Sequence, residues 1–321
     1  MKKITYLLGA GASANALPLI KGSLDKNTPA LPQQLFSFVK QHSTSLIEQN
    51  KGWDNSDIEF LAGISKNCIE FGTPDLFAKY LLEIGDSKSY KYLKHLLSIF
   101  FKYKQERENR FDLRALTFLT TLAFNQKIPE NVKLISWNYD LQIEIAAQKL
   151  KPINSSLYDK IKGFTCWPNS RDGFETGENP FLIHLNGVAG STYSERNFYD
   201  VFESYFSFSN VEKTESLLSF AWEDEENTSK KIFNEQKVKV ALEMATGTNI
   251  LVVIGYSFPF FNRKIDQQIF YSMHNTLQKI YFQDPFNTGE QLKSQFNLSA
   301  QAEASIMHIK GIDNYHIPFE L

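Results

Sequence analysis

The chain has 321 residues, 42% of them hydrophobic, with 34 Lys and Arg against 36 Asp and Glu. A formal charge of −2 leaves no electrostatic footprint for nucleic acid or an anionic membrane, and the longest apolar runs fall short of a membrane span. Two cysteines, Cys68 and Cys166, cannot form a CxxC pair, and no export signal is evident, so the cytoplasm is the expected location and no metal is expected.

Ile4 to Leu8 is a short apolar run that predicts a buried strand. It leads into Gly9-Ala10-Gly11-Ala12-Ser13, two glycines and an alanine-rich stretch able to start a helix. A strand, a glycine turn and a helix start would aim backbone N–H groups and a positive dipole end at an anion. Gly9 and Gly11 lack Cβ atoms that would hold a phosphate away, and Ser13 adds a hydroxyl. Gly9, Ala10, Gly11, Ala12 and Ser13 are therefore a candidate pyrophosphate cradle. The same glycines also suit a tight turn that binds nothing. A hydride-transferring dinucleotide fold would carry an acidic strand end about 20 residues on. Here Pro18, Gly22, Pro29 and Pro32 break any strand in that region.

Residues 31–127 read as helical. Leu35, Phe36 and Val39 recur at helical spacing, as do Phe60, Leu61 and Ile64. Thr73 can cap a helix opened by Pro74, with Phe77, Tyr80, Leu81 and Ile84 on one face. Runs over Tyr90–Lys104 and Leu113–Phe124 continue the pattern. Residues 132–137 form the next strand, and Asp140 can cap a helix from Leu141 to Leu150. Residues 151–180 are loop-like. Phe181–Leu185 is a short strand that runs into Asn186-Gly187. A helix over Ile232–Ala245, a strand over Ile250–Ile254, a helix over Asn262–Leu277 and strands over Lys279–Gln283 and Ser305–Ile309 complete the chain. Strands alternating with helices imply an α/β fold, a Rossmann-like parallel sheet with helices on both faces. The expected organisation is a single domain: a core of residues 1–30 and 128–321 with a helical insertion at 31–127.

Ligands of parallel sheets bind beyond the carboxyl ends of the strands. Four expected strand ends carry polar or glycine groups: Gly9–Ser13, Asn138-Tyr139-Asp140, His184–Gly187 and Gly255-Tyr256-Ser257. Singly, Asn138 and Asp140 suit a turn and cap, His184 a structural role, and Gly255 and Ser257 a tight turn. In order, they resemble the sirtuin-like family of NAD-consuming proteins. The Gly-Ala-Gly-x-Ser phosphate loop is similar to Gly9–Ser13, the Gln-Asn-x-Asp strand end to Trp137–Asp140, and the Gly-Thr-Ser ribose loop to Gly255–Ser257. Thr73-Pro74-Asp75-Leu76-Phe77-Ala78 also resembles a helical motif of the bacterial members. The chain departs from the family in three places. It lacks the four zinc-binding cysteines of the deacylases, Trp137 replaces the glutamine, and Asn186 stands where members place a catalytic histidine, with His184 two residues earlier.

The zinc-free members are mostly bacterial NAD hydrolases of antiphage defence. The resemblance therefore implies an NAD glycohydrolase with NAD as substrate, releasing ADP-ribose and nicotinamide. Gly9–Ser13, Gly255 and Ser257 would bind the dinucleotide. Asn138 would hold a ribose hydroxyl or the attacking water, Asp140 would favour developing positive charge, and His184 or Asn186 would activate or orient water. A non-catalytic NAD- or ADP-ribose-binding subunit is the alternative. An unrestrained NAD hydrolase would drain its host, so a homo-oligomer or a separately encoded sensor or regulatory protein is the expected gate.

Overall fold

The computed structural model describes residues 1–20, 28–123, 127–150, 164–167, 180–189, 208, 211, 216, 218–223 and 228–321. Five helices come first: α1 Leu31–Gln41, α2 Ser43–Gln49, α3 Asn55–Glu70, α4 Pro74–Glu83 and α5 Ser87–Glu106. They are followed by α6 Leu113–Leu122, α7 Gln142–Lys149, α8 Thr228–Ala245, α9 Arg263–Met273, α10 Gln291–Gln295 and α11 Ala300–Ala304. The strands are β1 Ile4–Leu8, β2 Val132–Ser136, β3 Cys166–Trp167, β4 Leu182–His184, β5 Ile250–Ile254, β6 Lys279–Gln283 and β7 Ile306–Ile309. They form one sheet in the order β3-β4-β2-β1-β5-β6-β7. Every pairing is parallel. The fold is α/β and Rossmann-like, with helices around the sheet.

Two compact units divide the chain. One holds Met1–Ser13, Asp112–Asn186 and Ala221–Leu321, and so the whole sheet with α6 to α11; the other holds Ala14–Phe111 and Gly187–Phe220. In the second unit, α1 packs mainly on α3, and α4 on α5. Phe38 meets Phe100 edge to face at 5.4 Å, which adds an oriented aromatic contact to simple area burial. Thr73 accepts a hydrogen bond from the Leu76 N–H at 3.1 Å with Pro74 behind it, so α4 opens on the expected cap. Among the described residues, no helix is long and apolar enough to cross a membrane.

In the sheet unit, β1, β2 and β5 are buried at every position, as strands covered on both faces require. β1, β5 and β6 have the expected boundaries. The helix expected from Leu141 begins at Gln142, and the one expected over Asn262–Leu277 is shorter, spanning Arg263–Met273. Most of 151–180 lies outside the described residues, but the short strand β3 falls within it.

The strand order reverses between β1 and β5, the position at which open α/β sheets bind ligands. The helix expected after Gly9 is instead a four-residue 3-10 turn, Ala10–Ser13. The chain is held down there because Gly9 N–H donates to Ile254 O at 3.0 Å and Gly11 N–H to Gly255 O at 2.9 Å. The two loops lie backbone on backbone. A Cβ on Gly9 would stand 2.6 Å from Tyr256 Cα, and one on Gly11 2.6 Å from Gly255 Cα. Gly255 is the most constrained, with φ +56° and a would-be Cβ 2.3 Å from Gly11 Cα. These glycines thus permit a loop crossing, whatever else they do.

Gly255→Ala is accordingly expected to cost more than the roughly 1–3 kcal/mol of a strained left-handed residue alone, because the clash is with backbone. Urea denaturation of parent and variant measures it. An alanine variant as stable as the parent would show that the loops do not meet in this way.

Candidate functional site

Asn138, two residues beyond the end of β2, ties the first loop to the second. Its side-chain amide donates to Gly9 O at 2.9 Å and to Ser13 Oγ at 3.2 Å. Two acceptors around one end fix that end as nitrogen and the other as Oδ1. The Asn138 backbone is also gripped: its N–H donates to Ser136 Oγ at 3.1 Å, and its carbonyl faces His184 Nδ1 at 3.0 Å. Ser13 passes the contact on, its hydroxyl bonding the Asp140 carboxyl, which also accepts from Gln142 N–H at 3.1 Å. Burial pushes the Asp140 carboxyl up to about 6, against the Ser13 and Gln142 hydrogen bonds that favour its charged form.

The other side of the glycine loop is held by residues that sequence reasoning did not single out. Arg114 Nη2 donates to Ala12 O at 3.1 Å and Gly11 O at 3.3 Å, and Nη1 donates to Ile312 O at 3.1 Å. Its charge is met by Asp112, which is fully buried, through Nε at 2.9 Å and Nη2 at 2.5 Å. Tyr315 OH donates to Ala12 O at 2.6 Å. Asp112 N–H in turn donates to Gln142 Oε1 at 2.7 Å, closing the network back to Asp140.

This bonding revises the donor set expected of Gly9–Ser13. Gly9, Gly11 and Ala12 spend their N–H groups on Ile254, Gly255 and Gly9 carbonyls. A four-residue 3-10 turn adds no useful dipole. Ala10 is exposed, and its N–H has no partner among the described residues. Ala10 N–H is therefore the loop's available donor.

His184 is buried, and both ring nitrogens are committed. Nδ1 faces only a carbonyl oxygen, so it carries a proton, and Nε2 lies 2.7 Å from Glu144 Oε1. Burial alone would lower the imidazole pKa. The Glu144 carboxylate, the Asn138 carbonyl and Asp140 reverse this and hold it above the ordinary value. With both ring nitrogens engaged by protein oxygens, His184 is placed to hold the Asn138 peptide. Asn186 lies past the end of β4, so strand alternation does not relate it to His184. Its amide donates to Trp137 O at 2.9 Å, while its buried Oδ1 and Glu144 Oε2 have no hydrogen-bond partner among the described residues.

On the β5 side, Gly255 receives Gly11 N–H, Tyr256 is buried, and Ser257 is exposed. The structure thus brings Gly9–Ser13, Asn138, Asp140, His184 and Gly255 into one bonded cluster. Asn186 joins it through Trp137, and Ser257 stands at its rim. Arg114, Asp112, Gln142, Glu144 and Tyr315 were missed. The signal available for them was slight: an Asp before a helix for Asp112, and nothing for Tyr315, whose bond spans 303 positions. Among the described residues, no group of three or more His, Cys, Asp and Glu side chains is arranged so that it could hold a metal ion. No model of a known protein family matches the chain, and no curated protein matches it. The resemblance to the sirtuin-like family thus rests on the motifs and their order.

Asp140 at about 6 and Asp266, a buried carboxyl pushed by burial to about 7, both bind their proton more tightly folded than unfolded. Their contribution is complete below the unfolded carboxylate value near 4 and disappears as pH rises through 6 and 7. The Asp266 shift alone is worth about 4 kcal/mol. Unfolding free energy is expected to fall between pH 5 and pH 8 in urea titrations, and less steeply in Asp266→Asn. A curve that rises across that window would contradict the burial of these carboxyls.

Proposed function

We propose that the protein is an NAD glycohydrolase that cleaves NAD to ADP-ribose and nicotinamide. The observation that carries this reading is the tie from the Asn138 amide to Gly9 O and Ser13 Oγ, which gathers the glycine loop and the Asn-Tyr-Asp turn at the carboxyl edge of a parallel sheet, beside the point where strand order reverses.

The chemistry asks little of the protein in proton transfer. Breaking the bond from ribose C1′ to the cationic pyridinium releases neutral nicotinamide, so no acid is needed at the leaving group, unlike an ordinary glycoside. What remains is to hold the dinucleotide, stabilise an oxocarbenium-like sugar and place a water. Ala10 N–H and the Ser257 hydroxyl suit phosphate or ribose oxygens. Asn138 Oδ1 suits a ribose hydroxyl or the attacking water. Asp140 and Glu144 supply negative potential near a developing cation, and His184 fixes the peptide that carries Asn138. In this reading the hydrolase is gated by self-association or by a separately encoded sensor, and antiphage defence is the setting the resemblance suggests.

The second reading, an NAD- or ADP-ribose-binding subunit without turnover, is favoured by the commitment of both His184 nitrogens. Product analysis after incubation with NAD separates the two, because only hydrolysis yields free nicotinamide. Asn138→Ala is expected to lower cleavage by about 10²–10³ and to cost roughly 1–3 kcal/mol of stability, with the fold retained by circular dichroism. Near-parental turnover by folded Asn138→Ala would remove this site from consideration.

A further inference from the structure

We propose that Asp266 is a positioning residue of this site, clamping the β2 loop that carries Asn138 to the β5 loop that carries Ser257. The proposal rests on the nucleotide-site reading above. Asp266 lies in the first turn of α9 and is fully buried. Trp137 Nε1 donates to its Oδ1 at 3.1 Å, and Tyr256 OH donates to its Oδ2 at 2.7 Å. Asn262 Nδ2 donates to the same Tyr256 oxygen at 2.9 Å. The indole and phenol rings stack with centroids 6.1 Å apart and planes 18° apart. Trp137 immediately precedes Asn138, and Tyr256 immediately precedes Ser257.

The topology gives the clamp its purpose. β2 and β5 flank β1 on opposite sides and share no ladder bonds, so the sheet relates their loops only through β1. Asp266 joins them across the glycine loop of β1. A buried carboxyl is costly to desolvate unless its oxygens are hydrogen-bonded, and both oxygens of Asp266 are. What the carboxyl adds is two directed acceptors, one for each loop. Its second effect falls on Phe258, which holds φ +54°, a conformation rare for an aromatic residue. Such a residue persists only where its surroundings over-determine it. Here Tyr256 lies 4.5 Å from its ring and Phe296 5.3 Å, and Tyr256 is itself pinned by Asp266. The strained turn keeps Phe258 inside and leaves Ser257 exposed.

The test compares Trp137→Phe, Tyr256→Phe, their double variant, Asp266→Asn and Asp266→Leu. The readouts are steady-state NAD cleavage, ADP-ribose affinity by calorimetry, and thermal unfolding. Each ring-preserving single is expected to lower kcat about 10–100-fold, with KM changed less. The double should lose no more than the worse single, because both act through one carboxyl. Asp266→Leu should stay folded, with a comparable loss in kcat and weaker ADP-ribose binding. Losses that multiply in the double, or unchanged turnover and ADP-ribose affinity in a folded Asp266→Leu or Asp266→Asn, would overturn the clamp. A parent that binds ADP-ribose without cleaving NAD would defeat the hydrolase reading alone, and the affinities would still decide the clamp. A parent that binds neither would defeat both.

Discussion

The loops after β1 and β5 touch backbone to backbone, and much of the sheet unit follows from that contact. It requires three glycines, since a Cβ on Gly9, Gly11 or Gly255 would stand within 2.6 Å of the opposing Cα. It also consumes the Gly9 and Gly11 N–H groups. A loop that donates inward cannot donate outward, so Ala10 N–H and side chains such as Asn138 are what this edge of the sheet has left to offer.

Polar side chains then lock the contact from both sides. Asn138 and Ser13 hold the loop at one end, and Arg114 and Tyr315 hold its carbonyls at the other. Burying Arg114 with Asp112 is not a cheap source of stability, since desolvation offsets much of the attraction. Its return is geometric: a planar guanidinium with several fixed donors specifies one arrangement of Gly11, Ala12 and Ile312. The His184–Glu144 pair does the same for the Asn138 peptide. Asn186 Oδ1 and Glu144 Oε2, on residues that support the 137–138 backbone, are buried without a hydrogen-bond partner among the described residues.

The fold was legible where one physical signal dominates. β1 and β5 are buried at every position, and β6 at all but its first, so they appear as short, mostly apolar runs with clear ends. The Thr73-Pro74 helix start was legible because cap and first residue are adjacent in sequence. The site was legible only as a set of strand ends. A glycine that makes room for a phosphate and a glycine that makes room for another loop leave the same trace in a sequence, and only the Tyr256 and Gly255 atoms distinguish them. The two partners of His184, Glu144 and the Asn138 carbonyl, are invisible from a strand pattern. Asp266 could not be found at all: of its two donors, Trp137 stood in the sequence as a departure from a family motif and Tyr256 as the middle residue of a glycine turn.

The place of β1 in the sheet also sets an order on folding. It is the first strand in the chain and sits between Val132–Ser136 on one side and Ile250–Ile254 on the other. Its loop is finally fastened by Tyr315, 303 positions away from Ala12. Closing such long loops must be achieved before the contacts repay it, which slows assembly and leaves an apolar strand waiting for its neighbours. During synthesis, the glycine loop, Asn138 and Ser257 therefore come together only once residue 257 has emerged, and the loop is not fully fastened until Tyr315 reaches Ala12 O.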